Sequence, residues 1–304
     1  MQIFSFPSIF AAMTDSPTPS QLVTRFAPSP TGYLHLGHAY AALFAYTAAK
    51  QADGRFLLRI EDIDRGRCRA QFEDAIYEDL AWLGLEWEQP VRRQSDCMAE
   101  FEAALDRLGR LGVLYPCFCT RKDIQAEIQA ADGAPHLVSM GPDGPLYPGT
   151  CRALSNQQRD QRAEAGEAFA LRLDMARALD AVGALSWQDR DKGEVSADAA
   201  IFGDVVLARK DTPTSYHLSV SIDDHLQGVT LVTRGEDLFP ATHIHRVLQA
   251  LLGLDTPQYH HHGLLKATDG RRLAKRDKAE TIRSLRQTGH SPAEVRVLAG
   301  FPDR

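Results

Sequence analysis

No stretch constrains this chain more tightly than Thr24–Tyr46, TRFAPSPTGYLHLGHAYAALFAY. Leu22, Val23 and Phe26 read as the end of a short buried strand. Pro28, Ser29, Pro30, Thr31 and Gly32 then form a turn, because two prolines and a glycine that close fit neither a helix nor a central strand. After Gly37, residues Ala39, Ala42, Leu43 and Tyr46 share one face at the helical period. A strand, a tight loop and a helix start leave backbone N–H groups free beside a positive helix end, an arrangement that favours an anion and above all a phosphate. His35 and His38 stand three apart at that joint, within reach of one phosphate chain. Gly37 lies between them, where a Cβ would block a ligand's approach.

The next segment repeats the logic. The helix closes at Asp53-Gly54 and Phe56–Ile60 reads as a strand, which makes a parallel crossover unit. In open parallel sheets ligands bind beyond the carboxyl ends of strands. Glu61, first of the run Glu61–Arg65, stands there. An isolated acidic turn would be read as solvated; beside a phosphate loop, Glu61 becomes a ligand for a substrate α-amino group. Gln71–Leu85 and Cys97–Leu114 are amphipathic scaffold helices. Strands are expected at ALRLDM after Phe169, at Gly203–Arg209, at Tyr216–Ser221 and at Gly228–Arg234, with a helix over His243–Leu252. Arg25 and Arg234 both fall at strand ends. A single arginine usually ends in a surface ion pair, but two together can clamp carboxylates. Arg25, Ser29, Glu61, Tyr216 and Arg234 offer cations, hydroxyls and one anion, the complement of glutamate or aspartate.

The five cysteines are too few, and odd in number, for a disulfide scaffold in 304 residues, so a reduced, cytoplasmic setting is expected. Cys117 and Cys119, with Cys151 downstream, can grip one metal ion, a structural zinc. Tyr147 and His136 are alternative fourth ligands, and three cysteines packed as small hydrophobes is the plainer reading. The segment Gln125–Gly144 between the half-sites reads as a loop insertion. The net charge of −6 argues against an indiscriminate nucleic-acid binder but permits a local basic patch. Arg271–Asp277, RRLAKRD, is such a patch, with four cations in six residues. Residues 1–20 lack a basic n-region and are Pro/Ser/Thr-rich toward their end, and are expected to be a disordered leader. No apolar run is long enough to span a membrane.

RFAPSPTGYLHLGHA followed by FLLRIEDIDRGR resembles the glutamyl branch of the class I aminoacyl-tRNA synthetases; LHLGH is similar to their "HIGH" signature and RLAKR to a degenerate form of their "KMSKS" loop, with Lys275 at its second lysine. The resemblance implies an α/β fold: a Rossmann-like parallel sheet in two halves (residues 21–115 and 196–260), an inserted zinc-containing subdomain (116–195), and the KMSKS-like loop with C-terminal helices (261–304). It implies that His35, His38 and Lys275 are catalytic and, with Gly37, bind ATP; Mg2+ is expected to accompany the ATP, with no dedicated protein cage for it. It gives Arg25, Phe26, Ala27, Pro28, Ser29, Glu61, Tyr216 and Arg234 to glutamate, and it favours Tyr147 over His136 as the partner of Cys117, Cys119 and Cys151 on zinc. His217 stands where glutamine is expected. After the loop only Thr281–Gln287 and Ser291–Leu298 remain, which leaves no room for an anticodon-binding region. Over residues 22–300 the pattern is similar to glutamyl-Q tRNA(Asp) synthetases, monomers expected to join glutamate to queuosine in the anticodon of tRNA(Asp). Three alternatives are a shortened conventional glutamyl-tRNA synthetase, a non-catalytic synthetase-like regulator, and another nucleotidyl-transfer enzyme on this fold.

Overall fold

The structure is a computed structural model that describes residues 21–131, 140–265 and 280–302. The leader 1–20, His136, and the run Arg271–Asp277 with Lys275 lie outside the described residues. In order, the elements are β1 (Val23–Phe26), α1 (Leu36–Gln51), β2 (Arg55–Ile60), α2 (Ala70–Trp82), β3 (Arg92–Arg93), α3 (Met98–Arg110), β4 (Leu114–Cys117), α4 (Arg121–Ala131), β5 (Met140–Gly141), β6 (Gly144–Pro145), α5 (Asn156–Glu164), β7 (Ala170–Leu173), α6 (Met175–Val182), β8 (Ser186–Asp189), β9 (Gly193–Ser196), β10 (Val206–Ala208), α7 (Tyr216–Leu226), β11 (Leu231–Gly235), α8 (Ala241–Leu252), β12 (Gln258–His262), α9 (Ile282–Gln287) and α10 (Pro292–Leu298).

β1, β2 and β3 run parallel, and so do β11, β12 and β8, with β9 antiparallel on the edge. The two groups meet where Thr230 N–H donates to Val23 O (3.0 Å) and Val23 N–H donates to Thr230 Oγ1 (2.8 Å). The tight return into β2 depends on Gly54, whose missing Cβ would run into the Leu22 carbonyl. Alternation along β2 divides its side chains between two layers. Phe56, Leu58 and Ile60 join the core made with α1, α2, α9 and α10. Leu57 packs on the other face with Trp187, Val232 and Tyr259, and Arg59 and Glu61 fall on that same face. In β1, Thr24 turns to α1, where its hydroxyl donates to Ala45 O at 2.9 Å, so Arg25 turns to α7.

A second, antiparallel sheet of β10, β7 and β4 carries the cysteine-bearing subdomain. β8 (residues 186–189), with β9 on its edge, extends the parallel sheet, whereas β10 pairs with β7. Two expectations are corrected. Tyr216–Ser221 is not a strand but the first part of α7. Its alternation of Tyr216, Leu218 and Val220 imitates period two, yet Leu218–Asp224 are all buried, so the helix shows no polar face. The Gln125–Gly144 segment is not loop throughout, since α4 runs to Ala131 and β5–β6 form a hairpin. Among the described residues no helix is long and apolar enough to cross a membrane.

Candidate active site

The loop after β1 ends at an unusual helix cap. His35 precedes α1 and its Nδ1 accepts the Gly37 N–H (3.1 Å), while His38 Nδ1 accepts the His35 N–H (3.2 Å). These reciprocal bonds satisfy helix-end donors in the manner of a capping box. Each Nδ1 lone pair is occupied, so in the neutral rings each Nε2 carries the hydrogen. The rings lie 3.9 Å apart between centroids. A Cβ on Gly37 would press on His35 Cε1 at 3.0 Å, so the glycine protects the ring position. Thr281 forms a β-bridge to His35, and Ile282 N–H donates to Leu34 O at 2.8 Å; the chain therefore re-enters the described region against this helix start.

A cavity of about 560 Å³ opens beside the cap. Of the residues singled out by sequence, Phe26, Ala27, Pro28, Ser29, His38, Glu61 and Tyr216 line it. Arg25 and Arg234 lie behind the wall, each 5% exposed. Sequence reasoning missed Asp64, Gln94, Arg209 and Thr214, which also line the cavity. The turn-rich run Lys210–Ser215 immediately before Tyr216 was the available signal for the last two.

The charges around the cavity are uneven. Glu61 has Arg59 Nε 3.6 Å away, beyond good hydrogen-bond length. Burial pushes its carboxyl up to about 7, against the pull of Arg59 and Arg25. Arg25 is engaged: its Nε donates to Asp224 Oδ1 (3.0 Å) and its Nη1 to Thr233 O (3.2 Å). Asp224 also takes Arg59 Nη2 at 2.6 Å, and Asp223 takes Arg92 Nε and Gln94 Nε2, each at 2.7 Å. Burial works against the Asp224 charge, yet Arg25 and Arg59 hold its carboxyl below the usual range. Arg234 differs. Among the described residues no carboxylate lies within ion-pair distance, and its partners are His261 Nε2 (3.1 Å), His245 Nδ1 (3.1 Å), Thr242 Oγ1 and Tyr216 Oη (3.4 Å). A buried cation without a counter-ion is costly by several kcal/mol and is settled by an anionic ligand. Tyr216 lies within the fields of Glu61, Arg25 and Arg234 together. The arrangement suits a small zwitterion whose ammonium meets Glu61 and whose carboxylate approaches Arg234.

The sulfurs of Cys117, Cys119 and Cys151 lie within 4.8 Å of one another. Tyr147 Oη stands 3.4 Å from Cys117 Sγ and 3.5 Å from Cys119 Sγ. Burial pushes the Cys119 thiol up to about 12. Burial also opposes ionisation of Cys151, but the Phe118 N–H, donating at 3.3 Å, helps to hold its thiol below the ordinary value. Three sulfurs converging with a phenol oxygen could hold one metal ion, and the same cysteines pack with Tyr115 and Phe118.

Residues 21–299 match the family described as tRNA synthetases class I (E and Q), catalytic domain. The chain is 51% identical over 282 residues to a glutamyl-Q tRNA(Asp) synthetase of Rhodobacter capsulatus, covering 92% of this chain and 100% of that protein. It is 36% identical to a glutamate–tRNA ligase of Aquifex aeolicus, over 90% of this chain but only 55% of the ligase. The crystal structure of a glutamate tRNA ligase from Elizabethkingia meningosepticum, in complex with its amino acid, superposes with a TM-score of 0.77 at 25% identity; the match covers 92% of this chain and 60% of that one.

Proposed function

The chain belongs to the class I tRNA synthetases of the E and Q family, and from that membership we propose that it activates glutamate with ATP and transfers it to queuosine in the anticodon of tRNA(Asp). The observation that carries the first half is a cavity with Glu61 and Tyr216 in its wall and, bonded to Tyr216 from behind, the buried guanidinium of Arg234, which has no carboxylate partner among the described residues. A glutamate α-carboxylate oxygen attacks the α-phosphorus of ATP, and the bond to pyrophosphate breaks as the acyl phosphate forms. Glu61 holds the ammonium. Arg234 and Tyr216, with Arg25 behind, receive the side-chain carboxylate. The Nε2–H groups of His35 and His38 donate to phosphate oxygens as charge moves onto the leaving group, and Lys275 supplies a cation from the following loop. Mg2+ accompanies ATP.

The acceptor is supported by relatives: the match to the Rhodobacter protein covers that protein's whole length. A queuosine hydroxyl attacks the glutamyl carbonyl, the ester forms and AMP leaves. Labelled glutamate is expected to attach to tRNA(Asp) carrying queuosine and not to tRNA(Asp) lacking it, with or without the 3′-terminal adenosine. Label that requires an intact 3′ end on tRNA(Glu) would instead make the protein a conventional charging enzyme, and activation of glutamate with no labelled RNA would remove the acceptor assignment.

Zinc held by Cys117, Cys119, Tyr147 and Cys151 would be structural, since four protein donors would leave it no open position for a substrate. The purified protein is then expected to contain one zinc per chain. Cys151→Ser or prolonged chelation should lower the unfolding temperature and loosen the β4–β7–β10 sheet in hydrogen exchange. A metal-free preparation with unchanged melting would end this assignment.

A further inference from the structure

Arg234 is buried among acceptors that carry no charge, and the hydrogens on those acceptors can be assigned one by one. Asp189 Oδ2 lies 2.7 Å from His261 Nδ1. Burial opposes the Asp189 charge, but bonds from His261 and the backbone N–H groups of Asp191 and Lys192 hold its carboxyl below the usual range. As an ionised carboxylate it accepts only, so His261 Nδ1 carries the hydrogen and His261 Nε2 is left to accept from Arg234 Nε. On the other side, Arg234 Nη1 can only donate, so His245 Nδ1, 3.1 Å away, accepts. His245 Nε2 then carries its hydrogen and donates to His217 Nδ1, also at 3.1 Å. His217 Nε2 therefore carries the last hydrogen. His217 and Tyr216 both line a second cavity, of about 440 Å³, next to the first.

We infer that His261, His245 and His217 form a relay of fixed tautomers, from Asp189 to the second cavity, that positions Arg234 for a substrate carboxylate. The inference rests on the reading of the first cavity as an amino-acid site. Neutral rings suit this task. A carboxylate in their place would cancel the charge the substrate needs, and a protonated ring would repel Arg234. Burial and the Arg234 charge both disfavour protonation, holding His217 and His261 down to about 4 and His245 well below its ordinary value. His245 and His217 come from adjacent helices: α8 and α7 pack together, so the relay also fixes Tyr216, the residue before His217, against the guanidinium.

Two measurements test the relay. Nitrogen-15 spectra of histidine-labelled protein are expected to show His245 and His217 protonated at Nε2 and His261 protonated at Nδ1; the opposite tautomer at His245 or His261 overturns the relay whether or not glutamate is the substrate. In glutamate-dependent ATP–pyrophosphate exchange, His245→Phe is expected to raise the KM for glutamate about tenfold or more, the scale of a lost hydrogen bond to a charged group, with the KM for ATP unchanged. His245→Asn, whose Oδ1 falls near the position of Nδ1, should recover most of that loss. His217→Phe, which removes the acceptor that anchors His245 Nε2–H without removing a bond to Arg234, gives a second reading and should raise the same KM about threefold. An unchanged glutamate KM in folded His245→Phe and His217→Phe overturns the proposal, and so does an equal rise in the KM for ATP. If no amino acid supports exchange in the unaltered protein, the reading of the cavity has failed, and the tautomer spectra still decide the relay.

Discussion

Glu61→Gln is expected to leave a folded protein whose kcat/KM for glutamate in pyrophosphate exchange is about a hundredfold lower or worse, because breaking a buried ion pair costs about 3–5 kcal/mol and each 1.4 kcal/mol is about tenfold. The amide has the carboxylate's shape but cannot neutralise an ammonium. The same residue sets a pH dependence. Burial raises its carboxyl from the ordinary 4.5 to about 7, and only the ionised form receives the substrate's ammonium. The KM for glutamate should therefore fall as pH rises from about 6 to about 8, and this slope should vanish in Glu61→Gln. The stability sign is opposite. Between 4.5 and about 7 the folded state binds the Glu61 proton more tightly than the unfolded chain does. Its contribution to folding is complete below that window and is lost as pH rises through it. A flat KM profile with an unchanged glutamine variant would remove Glu61 from the ammonium site.

The largest stability effect is expected at Asp224, one carboxylate that faces two buried guanidinium groups, Arg25 at 3.0 Å and Arg59 at 2.6 Å. Asp224→Asn preserves volume but leaves both cations under-compensated, and should cost about 3–5 kcal/mol in denaturant unfolding. Glutamate activation should fall as well, since Arg25 loses the bond that fixes it behind the cavity. A loss under about 1 kcal/mol, the scale of an exposed ion pair, would mean that water reaches this cluster.

What sequence reveals here follows the range of the physics. The loop Pro28–Gly32 and the cap at His35 are local: breakers and helical period lie within a few residues of one another, so β1, α1 and β2 are legible without a structure. Glu61 and Arg234 are marked by strand ends, for the same reason. The helical state of Tyr216–Ser221 was hidden because burial on nearly every side erases the polar–apolar contrast from which a period is read; the surviving clue was Ser215, whose hydroxyl caps α7 by accepting the Leu218 N–H. The engagement of Arg25 by Asp224 spans 199 positions, and no window of residues encodes it. The relay through His245 and His217 likewise needs two helices to be placed side by side before the histidines can be recognised as a set.

That long span has a consequence for biosynthesis. Strand β1 emerges early from the ribosome, yet one of its edges is completed by Thr230 and its arginine is neutralised by Asp224, 207 and 199 positions later. Until then the nascent chain carries an open strand edge and two guanidinium groups that cannot be buried favourably. The parallel sheet is therefore a late product of translation rather than a unit that forms first and waits. Chains stalled before Asp224 should be handled by the cell as unfinished, aggregation-prone material, even though they already contain the whole LHLGH helix.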